Sequence, residues 1–118
     1  MKTRAVVIEA PGGPEALVVR DVEVSPLRPG EARVKQHAIG LNFIDVYHRT
    51  GVYKIDLPAV LGTEGAGEVL EVAAGVTVVA PGDRVAYGGP VGAYAGVRNV
   101  PAERLVKLPA SIDFRTAA

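Results

Sequence analysis

The sequence predicts a mainly β domain built from antiparallel strands, and three observations point there. Glycine and proline are frequent, 14 and 9 copies in 118 residues, and they punctuate short Val-rich runs as tight turns separate strands. The stretch "EARVKQHA" (31–38) alternates, with Ala32, Val34 and Ala38 on one side and Glu31, Arg33, Lys35 and His37 on the other, which is a strand with one wet face. Helical signals are confined to two short places, residues 42–50 and the tail "SIDFRTAA".

Taken in order, "RAVVIEA" (4–10) reads as the first strand and "GGPE" (12–15) as the turn into "ALVVRDVEV". After the alternating strand, Asn42 precedes "FIDVY" with Asp45 three positions on, a capping box with Asp in the place of Glu or Gln. In "LGTEGAGEV" the glycines at 62, 65 and 67 lead into an apolar run that reads as a strand. The dinucleotide fingerprint G-x-G-x-x-G needs another spacing and a strand-to-helix junction. Gly65 and Gly67 are therefore expected to let a neighbouring segment pack close to a strand. "APGDRVAY" puts Pro81 and Gly82 at the centre of a type II turn before a strand from Arg84. "GAYAGVRNV" and "ERLVKLP" supply two more strands, and Ser111 is the expected cap of a last helix. A helix that short is marginal without a packing partner, so a larger parent protein is expected.

Composition removes several function classes. Basic and acidic residues balance at 13 each with no charged block, so nucleic acid is not an expected partner. The apolar runs are far below the roughly 20 residues of a membrane span, and "MKTRAVV" lacks a signal-peptide apolar region, so a cytoplasmic location is expected. With no cysteine, disulfides, thiolate zinc sites and a thiol nucleophile are excluded. Two histidines remain, His37 and His48; both are expected on solvated faces, and no H-x-x-H or H-E pairing offers a metal its ligands.

The polar and aromatic residues of "GLNFIDVYHRTGVY" (40–53) admit two readings. A capped surface turn accounts for Asn42 and Asp45, the latter favoured at a helix start by the dipole. Alternatively, one rigid turn aims the Asn42 amide and the Tyr47 and Tyr53 phenols toward a single cleft.

The ordered set "GGPEAL" (12–17), "AIGLNFIDVYHRTGVY" (38–53), "LPAVLGTEGAGEV" (57–69), "PGDRV" (81–85) and "GAYA" (92–95) resembles the N-terminal domain of one family. These are the zinc-free medium-chain quinone oxidoreductases, NADPH-dependent enzymes related to zeta-crystallin. The resemblance implies a GroES-like, partly open antiparallel β-barrel with short peripheral helices over residues 1–110. Residues 111–118 would then begin the helix leading to an absent Rossmann domain.

In the zinc-bearing members of that superfamily, a Cys stands at the position of Asn42 and a His at that of Thr63, and a four-cysteine lobe follows the "PGDRV" strand. An amide and a hydroxyl are poor zinc ligands by comparison, so the resemblance implies hydride transfer without a metal. It places Asn42, Phe43, Ile44, Asp45 and Tyr47 at the nicotinamide end of NADPH, and makes Tyr47 or Tyr53 the donor to a quinone oxygen. Glu64 is given a structural role first and that of a polar neighbour behind the site second. A quinone or another small electrophile is the expected partner, and a homodimer is common in such enzymes. Two other uses of the scaffold are a reductase of enones or enoyl thioesters and a ring-forming co-chaperonin-like module; the long polar loop the latter needs is missing.

Overall fold

Strands β1 (Lys2–Ile8), β2 (Val18–Glu23) and β3 (Glu31–Ile39) lead into helix α1 (Phe43–Thr50) in a computed structural model describing all of residues 1–118. Strands β4 (Ala59–Val60), β5 (Glu64–Val72), β6 (Arg84–Gly88), β7 (Val97–Pro101) and β8 (Val106–Lys107) follow, then helix α2 (Phe114–Ala117). They form a three-stranded sheet, β2-β1-β4, and a five-stranded sheet, β7-β3-β5-β6-β8, with antiparallel pairing throughout. The barrel stays open. No helix of the chain is long and apolar enough to cross a membrane.

The sheets are stitched together by residues 93–96. Val6 N–H donates to Tyr94 O at 2.9 Å and Gly96 N–H to Arg4 O at 3.0 Å, while Gln36 N–H of β3 donates to Gly96 O at 2.8 Å. This changes the expectation for "GAYAGVRNV", because only its second half pairs as β7 and the first half becomes a bridge between sheets. Likewise "ERLVKLP" keeps only two strand residues, since Ala102–Arg104 close a single 3₁₀ turn first. "GGPE" also becomes 3₁₀ over Pro14–Ala16, where proline's missing N–H and fixed φ suit the first position.

The alternation of β3 holds where it matters. Ala32 and Val34 are fully buried, and with Val69, Val85 and Val100 they form the centre of the larger core. Two register shifts against β5 lie between Arg33 and Val34 and between Gln36 and Ala38. Such bulges bend a strand and re-aim its side chains. Gln36, on the same face as Ala32 and Val34, is turned inward as well. The turn before β6 is the expected one: Asp83 N–H donates to Ala80 O at 3.1 Å and Gly82 takes φ +91°.

The last helix differs from expectation in its cap. Asp113, not Ser111, holds it, accepting the Thr116 N–H at 2.7 Å. Ser111 lies in the preceding turn, closed by Ile112 N–H on Pro109 O at 3.1 Å, so its hydroxyl is out of register with the free N–H groups of α2. The Thr116 hydrogen bond draws the Asp113 carboxyl below its ordinary range. Phe114 seats the helix, stacking on His37 at 4.3 Å with the Arg84 guanidinium 4.6 Å from its ring centroid.

Glycine within β5 is a packing requirement. A Cβ built on Gly67 overlaps the Lys35 carbonyl, and one on Gly65 overlaps the Gln36 side chain. Because Gly67 meets backbone and not a flexible side chain, Gly67→Ala is expected to cost about 1–3 kcal/mol, the range for overpacking a filled site. A urea titration of the two chains measures it; an unchanged midpoint would show that β3 and β5 separate freely.

Candidate active site

Helix α1 begins where Asn42 takes an extended conformation (φ −135°, ψ 155°) and ends at Gly51, whose φ of +87° closes it in the left-handed region. The capping-box relation predicted between Asn42 and Asp45 is present, with the Asn42 N–H donating to Asp45 Oδ2 at 3.1 Å. The helix then departs from ordinary amphipathicity. Its buried residues are Asp45 and His48, 5% and 8% exposed, while Phe43 and Tyr47 are 78% and 40% exposed.

The expectation that His48 lies on a solvated face is therefore corrected. Asp45 and His48 sit three residues apart, on the face that α1 turns inward, and the side packed against the domain takes both. His48 Nδ1 and Asp45 Oδ1 are buried without hydrogen-bond partners. His37 is exposed as expected, although its ring is occupied by Phe114.

Asp45 is held from across the domain. Tyr94 Oη donates to Asp45 Oδ2 at 2.5 Å, a short bond linking residues 49 apart in sequence. Burial foremost, then the Asp45 carboxylate, push the Tyr94 hydroxyl well above the ordinary tyrosine value, so it stays a donor. The loop carrying Tyr94 is itself pinned. Gln36 Nε2 donates to Ala93 O at 2.5 Å and Ala95 O at 3.0 Å, while Gln36 Oε1 accepts the Tyr87 hydroxyl at 2.6 Å. Arg98 donates to Pro90 O at 2.9 Å and Val91 O at 3.3 Å, with its guanidinium 5.3 Å from the Tyr87 ring centroid. Burial raises the Tyr87 hydroxyl too, against the opposing pull of Arg98.

On the outer side, the structure brings the two predicted tyrosines together. Tyr47 and Tyr53 meet edge to face with ring centroids 5.4 Å apart, and Tyr53 N–H donates to Tyr47 O at 3.2 Å. Asn42, Phe43 and Ile44 lie on the same exposed edge, with Leu41 80% exposed just before them. The Asn42 side chain takes the N-cap place of the capping box, its oxygen directed at the Asp45 N–H, and lies at the exposed surface. Glu64 packs over the entry to this segment: a Cβ on Gly40 would overlap its carboxylate, and Gly40 N–H donates to Glu64 O at 3.3 Å. Thr63 O accepts the Gly89 N–H at 2.8 Å, tying that residue to the far end of the same loop. No group of three or more His, Asp or Glu side chains converges as metal ligands would.

Sequence reasoning passed over Tyr94, Gln36 and Arg98. The available signal was the lone aromatic of "GAYA", a large ring flanked by alanines that cannot themselves fill a site.

Known proteins share this fold. The alcohol dehydrogenase GroES-like domain family model matches residues 28–110. The chain is 52% identical over 109 residues to a quinone oxidoreductase of Pseudomonas aeruginosa, covering 91% of this chain and 34% of that protein. It is 42% identical over 115 residues to a 2-haloacrylate reductase of Burkholderia, covering 93% and 34%. The structure of Escherichia coli quinone oxidoreductase complexed with NADPH superposes with a TM-score of 0.87 at 44% identity, over 98% of this chain and 36% of that one. The chain thus spans about a third of the length of the relatives it matches. With a family model over most of its length and an open sheet pair of the matching fold, the chain belongs to the alcohol dehydrogenase GroES-like domain family.

Proposed function

We propose that this chain is the catalytic-domain part of a cytoplasmic NADPH-dependent quinone oxidoreductase that reduces its acceptor without a metal. The observation that carries the reading is the placing on one short exposed segment of the Asn42 amide and the Tyr47–Tyr53 aromatic pair. An exposed amide whose oxygen alone is directed at its own helix keeps its NH2 group for the carboxamide of a nicotinamide ring. Phe43 and Ile44 offer the flat apolar border such a ring needs, and Asp45 stands behind them as a buried support. Asn42 and Thr63 occupy the positions where the zinc-bearing relatives carry Cys and His, and neither is a good zinc ligand. The remaining two thirds of the protein would hold most of the dinucleotide and any dimer contact.

When bound, NADPH supplies the hydride. The chain's own residues align and polarise. Asn42 fixes the ring's orientation, which matters because alignment of donor and acceptor carries much of the rate in a hydride transfer. Tyr47 or Tyr53 donates to a quinone oxygen as that oxygen gains negative charge, a dipole set in place before reaction. A proton from solvent completes the hydroquinone. A quinone suits this equipment because the phenolate formed on reduction is already a stable anion.

The relationship to 2-haloacrylate reductase supports a second acceptor class, activated double bonds. The same donor would then face a carbonyl or carboxylate oxygen of an enone or acrylate. Assaying the full-length protein with a benzoquinone beside a 2-enal separates the two.

In the full-length protein, Tyr47→Phe or Tyr53→Phe is expected to lower benzoquinone turnover on the order of tenfold, less than a typical oxyanion-hole donor because phenolate needs less help. If neither variant drops by more than a few-fold, the donor assignment is wrong. The 118-residue chain alone is expected to show no measurable NADPH binding by calorimetry. Micromolar affinity would place the main dinucleotide contacts here instead.

A further inference from the structure

We propose that the Tyr94 hydroxyl is the positioning group that sets the Asn42 end of α1 for the cofactor, an inference resting on the role of Asn42 proposed above. Asp45 Oδ2 accepts both the Tyr94 hydroxyl at 2.5 Å and the Asn42 N–H at 3.1 Å. A single carboxylate oxygen therefore joins the 93–96 bridge to the residue whose amide meets the ring. Hydrogen bonds to an ionised carboxylate are stronger than neutral ones, and burial of Asp45 strengthens them further.

The fold makes room for this contact. Gly62 takes φ +94°, and a Cβ there would lie 2.5 Å from Tyr94 Cδ1 and 3.0 Å from the Ala93 Cβ. A side chain at 62 would displace the ring that carries the hydroxyl. The loop cannot easily follow a movement of α1, because Gln36 and Arg98 hold its carbonyls at 90, 91, 93 and 95. A continuous set of hydrogen bonds thus runs from the sheet through Tyr94 to Asp45 and on to Asn42. The Tyr94 hydroxyl directs its proton at Asp45 Oδ2, which makes it a support for that carboxylate. Its contribution is geometric, and a misplacement near 1 Å at a reacting centre costs up to about a hundredfold in rate.

Tyr94→Phe keeps the ring against Gly62 and removes only the hydroxyl, so it separates packing from positioning. In the 118-residue chain, amide exchange followed by NMR should show the Asn42 N–H exchanging about tenfold faster in Y94F, while the Val34 and Val85 amides of the core keep their rates. In the full-length protein, Y94F should lower kcat for benzoquinone about tenfold with the NADPH dissociation constant changed less than twofold, and should raise the isotope effect from NADPH deuterated at C4. Asp45→Asn, which retains an acceptor but not the charge, is the second variant. It should let one tyrosine ionise at lower pH than in the unsubstituted chain, read as phenolate absorbance, and that signal should be missing from the Y94F/D45N double variant.

Unchanged Asn42 exchange in Y94F overturns the clamp. Faster exchange with unchanged kcat overturns its part in positioning. If the unsubstituted full-length protein turns over no quinone or enal with NADPH, the proposed function fails instead; the exchange and phenolate signals, which need no cofactor, then decide the clamp alone.

Discussion

One oxygen atom, Asp45 Oδ2, anchors the exposed edge of this domain. A carboxylate that is only 5% exposed is costly to bury without donors, and the fold supplies two from opposite directions, the start of its own helix and a tyrosine 49 residues away. Meeting that demand forces the rest. The 93–96 segment has to cross between the sheets to present Tyr94, Gly62 has to lack a side chain so that the ring fits, and Gln36 and Arg98 have to hold the carbonyls of a loop that pairs with no single strand along its length.

That demand also explains the reversed amphipathicity of α1. With Asp45 and His48 drawn inward, the 3.6-residue period carries Phe43 and Tyr47 outward. Aromatic area left in water is unfavourable for an isolated domain, and large exposed apolar patches generally mark surfaces that bind something. Here the patch adjoins the Asn42 amide, so the same geometric device that buries a charge also creates a flat apolar border with one polar group at its rim. One eight-residue helix thus turns a charged face inward and an apolar face outward.

Much of the architecture is legible in local sequence because it depends on local physics. The strand at 31–38 follows from side-chain alternation, the bend at Pro81–Gly82 from proline's φ and glycine's tolerance of a positive one, and the span of α1 from Asn42 and Gly51 at its ends. The glycines of β5 are equally readable: their spacing fits no phosphate loop, and the structure uses them where β3 lies too close for a side chain. The pairing of Tyr47 with Tyr53 also follows from chain geometry, since Gly51 turns the backbone and Tyr53 N–H returns to Tyr47 O.

What the sequence by itself determined is therefore the inventory: the long strands, the turn at Pro81–Gly82, a short helical segment whose surroundings carry an amide and two phenols, and that no thiolate is available. Tertiary structure decided who faces whom. Nothing local marks His48 as buried, Ser111 as idle beside Asp113, Gln36 as an inward brace, or Tyr94 as the partner of Asp45. Each of these depends on which distant backbone arrives next to it, and a hydrogen bond between residues 49 positions apart exists only once both sheets have closed around it. Periodicity assigns a side chain to a face, but only packing assigns it a neighbour.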